Sequence, residues 1–445
     1  MAEDQTDEVQ LWQNIKPVEF SPKLKERTEA QALLVQARQG AGFEVAAGHL
    51  AHAIRARATH VLMDFTQRGC AVRYQVDGNW EQLPPLARDV GDAMLYALKQ
   101  LCLMNPADRR SAQTGSIQIK LEKDKFDLQL QSQGVPTGER VLAKLEAEKI
   151  PFERLTDLGM RDKMVETFKA ALDSESSMVV VTAPKSEGLT TTWTIAMNAA
   201  DRLIRDFQSF EIQDHPEPEI ININPNFFGG DTGLTECEMV KKVVLKEPDV
   251  LLFPEFPQAD SLAKSLEQVE TASKQVIMRM VANNPLEALV ALIAKYPESA
   301  EKIAANIKAV LSQKLIRRLC ENCKAGFEPP PQLLRQLGIP QGRIAMLYQP
   351  FVPPPIEQQV DENGNPAPIT PCHVCHGRGY YGRIAIFELL TPGDQLKNAL
   401  TKTRDIAKLY AIAKSEGHRN LQTEAVLTLA RGLTGLDELK KLFAK

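Results

Sequence analysis

The residues with the clearest chemistry are four cysteines in two Cys-x-x-Cys pairs, Cys320 with Cys323 and Cys372 with Cys375. Each pair lets one tight turn offer two sulfurs to a metal ion, and two pairs make the tetrahedral thiolate set that zinc prefers in structural sites. Four thiolates leave no open coordination position, so the predicted role is structural. Four unliganded thiols or a redox pair are the alternatives, and His373 and His376 are possible substitute ligands.

A second candidate site is "TAPKSEGLTTTW", residues 182–193, which follows the apolar run "MVVV". A working phosphate loop has the pattern G-x-x-x-x-G-K-[ST], in which backbone N–H groups and the lysine hold the phosphates. Gly188 and Thr190 remain, but Ala183 stands at the first glycine and Leu189 at the lysine. The stretch is either a degenerate nucleotide site or a strand–turn–helix that binds nothing.

The charges of this loop disfavour ATP. Without the lysine, charge-assisted hydrogen bonds worth about 1.5–3 kcal/mol each are lost. Glu187 is expected to place a carboxylate beside the polyphosphate, where like charges repel. Lys185 could fold back to supply the missing charge, or it is simply a solvated loop lysine.

The segment "EPDVLLFPE", residues 247–255, has the shape of a second nucleotide-enzyme strand. Its acidic end, Glu255, could orient an attacking water, although a carboxylate at a strand end is common in other proteins. Glu255 is therefore the candidate catalytic residue. The candidate nucleotide ligands are Lys185, Gly188, Thr190, Thr191 and Asp249.

The composition limits the class of protein. Of the 445 residues, 43% are apolar and 25% charged, which is ordinary for a soluble globular chain. A formal net charge of −4 argues against a nucleic-acid partner. No apolar run approaches the roughly 20 residues that span a bilayer, and the acidic start "MAEDQTDEVQ" lacks the regions of a signal peptide. We therefore expect a cytoplasmic protein with at most peripheral membrane association.

The patterns along the chain predict an α/β protein of several parts. Residues 1–41 are expected to form a tail with one charged helix, and residues 42–134 an α+β domain. The turn-rich "GVPTGER" favours a linker over 135–150. Over 151–319, apolar strands alternate with helices, which predicts a parallel sheet covered on both faces, with helices from 286 to 319.

The remaining part contains the cysteines. Residues 320–390 are predicted to form a zinc-binding subdomain with an irregular proline-rich insertion over 328–371, and residues 391–445 a helical region. In parallel sheets, ligands bind beyond the carboxyl ends of the strands. The loop at 182–190 and Glu255 are both expected there.

Taken together, these segments resemble the secretion ATPases of type II secretion and type IV pilus assembly, the general secretory pathway protein E family. The likeness is clearest at "SQKLIRRLCENC" (312–323) and "PCHVCHGRGYYGRIAIFELL" (371–390), and runs from about residue 42 to the end. It implies a RecA-like P-loop NTPase domain, with zinc and ATP/Mg as cofactors. It also implies a hexameric ring of two-lobed subunits that docks on an inner-membrane platform protein.

Departures from the family pattern concentrate at the chemistry. Gln213 stands where the family's aspartate box begins with Glu. The two histidines of the family's histidine box align with Lys274 and Val281, and family arginines align with Gln129, Lys144 and Pro257. We therefore predict a hydrolysis-impaired ring subunit, homo- or hetero-oligomeric. The alternatives are an active motor in which Lys185 replaces the loop lysine, and a zinc-containing scaffold that binds protein or RNA.

Overall fold

The computed structural model describes residues 15–24, 26–355, 359, 367 and 369–443. It forms two compact units, Met1–Pro151 and Phe152–Lys445. Residues 1–14, which include the acidic start, lie outside the described residues, as do 356–358, 360–366 and 368 of the predicted proline-rich insertion. Within the described part of the chain, no helix is long and apolar enough to cross a membrane.

The first unit is an antiparallel sheet with three helices, and it includes a strand and a helix from the segment predicted as a tail. The strands are β1 Glu19–Ser21, β2 Ala58–Thr66, β3 Gly69–Val76, β4 Asn79–Gln82, β5 Gln113–Leu121, β6 Asp124–Val135 and β7 Gly138–Ala147. The helices are α1 Arg27–Arg38, α2 Gly42–Arg55 and α3 Arg88–Leu101. The strands are ordered β1-β5-β6-β7-β2-β3-β4. Buried residues alternate along β3, so one face of the sheet packs on the core.

The segment predicted as a linker belongs to this sheet. "GVPTGER" forms the turn between β6 and β7, and β7 pairs with β6 on one side and β2 on the other. Gly138 has a φ of 148°, and a Cβ there would lie 2.0 Å from the carbonyl oxygen of Phe65. The linker prediction over 135–150 is therefore wrong for β7, because turn residues mark hairpins as well as hinges.

The second unit is built on a mostly parallel sheet. Its strands are β8 Ser177–Ala183, β9 Phe207–Ile212, β10 Ile223–Phe228, β11 Val250–Phe253, β12 Gln275–Val281, β13 Ile307–Leu319 and β16 Tyr380–Leu390. Between β13 and β16, the strands β14 Ala325–Phe327 and β15 Leu347–Gln349 form a separate two-stranded sheet. The order is β10-β9-β11-β12-β8-β13-β16, and only β16 runs antiparallel to its neighbour. All seven residues of β8 are buried, which explains its continuous apolar sequence. The α/β prediction is confirmed.

Helices cover both faces of this sheet. They are α4 Asp162–Leu172, α5 Leu189–Ala199, α6 Glu236–Val244, α7 Ala259–Thr271, α8 Pro285–Lys295, α9 Ala300–Asn306, α10 Pro331–Gln336, α11 Asp394–Lys402, α12 Ile406–Ser415, α13 Leu421–Ala430 and α14 Leu436–Phe443, with 3-10 turns at Gly230–Thr232 and Pro297–Ser299. Separate apolar clusters lie on the two faces of the sheet. The last four helices, α11 to α14, lie within the region 391–445 that was predicted to be helical.

The helical prediction from 286 to 319 holds only to Asn306. The following residues form β13, which pairs with β8 in parallel and with β16 in the antiparallel sense. The apolar spacing of this stretch fits a helix as well as a strand, and the hydrogen bonds available from two neighbouring strands decide between them.

Candidate functional site

The four predicted metal ligands come together where β13 ends and shortly before β16 begins. Their sulfur atoms all lie within 4.8 Å of one another. Cys320 Sγ is 3.9 Å from Cys372 Sγ, and Cys323 Sγ is 3.5 Å from Cys375 Sγ. Tetrahedral zinc with Zn–S bonds of about 2.3 Å holds its sulfurs roughly 3.8 Å apart. The donor set and its spacing therefore fit a structural zinc ion.

Local turns position these thiols. The N–H of Cys323 donates to the carbonyl of Cys320 at 3.2 Å, and the N–H of His376 donates to the carbonyl of Cys372 at 2.7 Å. Each Cys-x-x-Cys pair is thus held by a closed backbone turn. The side chains of His373 and His376 are exposed and lie outside the cluster of four sulfurs.

Hydrogen-bond donors surround two of the sulfurs. The N–H of Gly379 lies 3.3 Å from Cys375 Sγ, and the amide of Asn322 lies 3.2 Å from Cys372 Sγ. The backbone N–H of Cys375 lowers the pKa of the Cys372 thiol to about 6, whereas burial raises the pKa of Cys323. Donors of this kind stabilise the thiolate form, which is the form that ligates metal.

The candidate phosphate loop, residues 184–188, lies between a strand and a helix, as predicted. β8 ends at Ala183 and α5 begins at Leu189, with Gly188 before it in the left-handed conformation at φ 79°. Leu189 packs against the apolar cluster beneath α5, at the position from which a phosphate-loop lysine reaches its ligand. The candidate ligands gathered in this loop and the first turn of α5 are Lys185, Gly188, Thr190 and Thr191.

The loop is fastened to β13 by Glu187 and Gln313. The Glu187 carboxylate accepts a hydrogen bond from the N–H of Leu315 at 2.6 Å. The side-chain amide of Gln313 donates to the Glu187 carbonyl at 2.6 Å and accepts from the hydroxyl of Thr192 in α5. The Glu187 carboxylate is thus directed at β13, and the expectation that it projects toward a polyphosphate is wrong.

Asp249 lies at the amino-terminal ends of the parallel strands, opposite to the end from which the candidate phosphate loop leaves β8. It precedes β11, and its carboxylate accepts a hydrogen bond from the N–H of Asp206 at 2.8 Å. Through β12, the register places Val250 level with Ser177, the first residue of β8. From Ser177 to Ala183, β8 extends about 20 Å at roughly 3.3 Å per residue. Asp249 is therefore separated from the loop by about the length of this strand. The prediction of Asp249 as a nucleotide ligand is therefore wrong.

Glu255 lies at the same edge as the loop, after the end of β11, and is 61% exposed. Its nearest charged partner is Arg279 of β12, whose Nη2 lies 3.7 Å from Glu255 Oε1. The structure therefore brings the candidate catalytic carboxylate and the candidate phosphate loop to the same end of the parallel strands, as predicted from the direction of the strands.

Arg279 was missed by the sequence reasoning. Its side chain is 10% exposed and donates two hydrogen bonds to the Glu217 carboxylate, at 2.6 and 2.9 Å. Its Nε also donates to the Pro254 carbonyl at 2.7 Å, and its guanidinium lies 5.8 Å from the ring of Trp193. The available signal was one charge inside the buried strand "QVIMRMV", because a buried guanidinium requires partners.

Comparisons with known proteins agree with this architecture. A family model described as "Type II/IV secretion system protein" matches residues 40–441. The type IV pilus assembly ATPase PilB of Thermus thermophilus is 26% identical over 385 residues, covering 86% of this chain and 41% of that protein. The PilB of Acinetobacter baylyi is 23% identical over 397 residues, covering 88% and 65%. The chain thus spans only part of the length of these relatives.

Three further similarities extend the comparison. The type II secretion system protein E of Xanthomonas campestris pv. campestris is 23% identical over 397 residues, covering 88% of this chain and 65% of that protein. Among solved structures, the ATPase DotB of Legionella pneumophila superimposes with a TM-score of 0.55 at 11% identity, covering 89% of this chain and 94% of that one. DotB of Yersinia pseudotuberculosis gives 0.54 at 12% identity, covering 96% and 98%. At such identities the structural likeness concerns the fold alone.

Proposed function

The chain belongs to the type II/IV secretion system protein family, and from this premise we propose that it is a structural or regulatory ring subunit with impaired ATP hydrolysis. It would serve a type II secretion or type IV pilus machine and dock on inner-membrane platform proteins. The names of its relatives, which include pilus assembly ATPases and a type II secretion protein, support this class of machine.

The observation that carries the impaired hydrolysis is the state of the former phosphate loop. Leu189 packs on apolar side chains where a lysine would reach the β and γ phosphates. Glu187 and Gln313 hold the loop on β13 instead. Each charge-assisted hydrogen bond that is missing weakens nucleotide binding by about 1.5–3 kcal/mol, which is a factor of roughly 10 to 150.

We also propose that the four cysteines hold one structural zinc ion per chain. Four thiolates leave no open position for a substrate or a water, so the ion would supply cross-linking and no catalytic chemistry. Cys320 directly follows β13, and Cys375 lies shortly before β16. The cysteines would therefore hold together the two ends of the segment that connects these strands.

The test of hydrolysis uses the full chain, prepared with its metal retained. ATP affinity and turnover are measured with and without Mg²⁺, and we expect turnover well below about 1 per second, the lower end for typical enzymes. Turnover of about 1 per second or faster, abolished by Glu255→Gln and unaffected by Glu219→Gln, would contradict the proposal. Loss of such turnover in Lys185→Ala would instead support the alternative of an active motor. Glu219 is a matched exposed carboxylate.

The ring is tested by size. Light scattering of the chain alone, and mixed with a catalytic relative from the same cell, should show a multimer in at least one case. A monomer in both would contradict the ring assignment and favour the scaffold alternative.

A further inference from the structure

We propose that Arg279 is an internal cation that takes the place of a divalent metal ion at the carboxyl edge of the second sheet. It is thereby the residue that determines whether this edge binds such an ion. The inference rests on the proposed function, because it treats the edge as a former nucleotide site.

The position of Arg279 in the sheet supports this role. β12 lies between β11, which leads to Glu255, and β8, which leads to the former phosphate loop. Arg279 is level with Val181, near the carboxyl end of β8. Its guanidinium therefore lies between the two segments that would together hold a nucleotide and its metal ion.

The atoms around the guanidinium are hard oxygen donors. Both carboxylate oxygens of Glu217, the carbonyl oxygen of Pro254 and, at 3.7 Å, Oε1 of Glu255 face it. Carboxylates and carbonyls are the ligands that Mg²⁺ and Mn²⁺ select. A guanidinium has five N–H donors in a fixed fork, so one side chain can satisfy several of these oxygens at once.

Charge balance makes a cation necessary at this place. Glu217 is 18% exposed, and its N–H donates at 3.0 Å to the carboxylate of Glu211, which is 7% exposed. If the Arg279 charge were removed, Glu217 and Glu211 would lose their compensating charge, which is strongly destabilising for buried groups, and the exposed Glu255 would add a further negative charge beside them. A divalent ion would be attracted to the same oxygens, because it supplies the missing positive charge.

The test replaces Arg279 by glutamine, which keeps a side-chain amide donor but removes the charge. We expect wild-type protein to bind no Mn²⁺ at this edge and to show the same Tm in MgCl₂ as in NaCl of equal ionic strength. Arg279→Gln should have a lower Tm that rises by about 2–4 °C in roughly 10 mM MgCl₂. It should also gain one Mn²⁺ site by electron paramagnetic resonance. No chelator is used, so that the cysteine cluster keeps its metal.

A matched control is Arg161→Gln, which breaks a second bidentate pair in the same unit. Arg161 donates to both oxygens of Glu424, at 2.6 and 2.7 Å. This variant should lose stability without gaining a response to Mg²⁺. The double variant Arg279→Gln/Glu217→Gln should lose the Mn²⁺ site that the single variant gains.

Two results would overturn the inference. One is an Arg279→Gln protein with no Mn²⁺ site beyond that of wild type, and the other is a wild-type protein that binds Mn²⁺ through Glu217. If Arg279→Gln does not fold even in Mg²⁺, Arg279→Lys is tested instead. This variant retains the positive charge, so it should bind no Mn²⁺ at this edge, and binding there would contradict the inference. ATP turnover is measured separately, so failure of the proposed function is recognised independently.

Discussion

The cysteine cluster and the candidate phosphate loop follow neighbouring strands of one sheet, β13 and β8, but they match the residue patterns of a binding site to different degrees. At the cluster all four donors are present at metal-ligand spacing. At the loop the lysine position is apolar, and Glu187 fastens the backbone to β13. The difference teaches that a strand–loop–helix of this kind can be held by internal hydrogen bonds to a neighbouring strand without the lysine of a phosphate loop.

The largest effect is expected from removing one cysteine of the cluster. Cys372→Ser should release the metal and destabilise the carboxyl-terminal part of the chain by about 2–5 kcal/mol, comparable with the loss of a native cross-link. Elemental analysis and urea unfolding measure the two effects. The control is Cys237→Ser, a half-buried thiol outside the cluster, which should keep the metal. Absence of zinc from carefully prepared wild-type protein would refute the assignment.

The next effect concerns the fastening of the loop. Glu187→Ala leaves the N–H of Leu315 without its acceptor and should destabilise the second unit by about 1–3 kcal/mol. Amide exchange in residues 184–190 should accelerate at the same time. Glu187→Gln retains an acceptor oxygen and serves as the control. Equal stability of the alanine variant and wild type would show that the loop is held by other contacts.

A third variant tests whether the missing lysine charge alone accounts for weak ATP binding at the loop. Leu189→Lys should strengthen ATP binding about tenfold, since one charge-assisted hydrogen bond returns. Leu189→Met keeps the apolar contact and should change the affinity little. Isothermal titration calorimetry with ATP and Mg²⁺ measures both. An unchanged affinity in the lysine variant would assign the loss to the geometry of the loop and not to its charge.

The smallest effect depends on pH and acts beside the cysteine cluster. Burial raises the pKa of Glu438, but hydrogen bonds from Arg317 of β13 outweigh it and hold the pKa below its ordinary value. A carboxylate with a lowered pKa contributes stability above its unfolded pKa of about 4.3, and that contribution is lost as the pH falls through the folded value. As the pH falls from 7 into the acid range, the free energy of unfolding should therefore decrease more in wild type than in Glu438→Gln. Parallel curves would exclude this contribution.

Much of the fold could be predicted from the sequence where one pattern allowed one structure. The continuous apolar run of β8 and the glycine before α5 predicted a strand–loop–helix, and the cysteine spacing predicted the ligand cluster. β13 and β7 were misassigned because their residues also fit a helix and a linker, and only pairing with neighbouring strands decides.

The details of the candidate site could be predicted less well, because they depend on contacts between distant parts of the chain. Glu187 and Leu315 are 128 positions apart, so no local pattern relates them. The charge of Arg279 is visible in the sequence, but Glu217 as its partner is not. Asp249 could have been placed correctly, since a residue that precedes a parallel strand lies at the edge opposite to the loops that follow.

The antiparallel pairing of β13 with β16 has a topological consequence. Leu319 and Tyr380 face each other in the register, so the whole segment 320–379 leaves the sheet and returns to it at adjacent points. In terms of connectivity it is an enlarged hairpin loop, and exchanging it for a tight turn would leave the strand order unchanged. Closing so long a loop costs more entropy than closing a short one. A short turn would therefore close this hairpin by chain length alone, whereas the long segment would gain the same closure from the proposed metal cross-link.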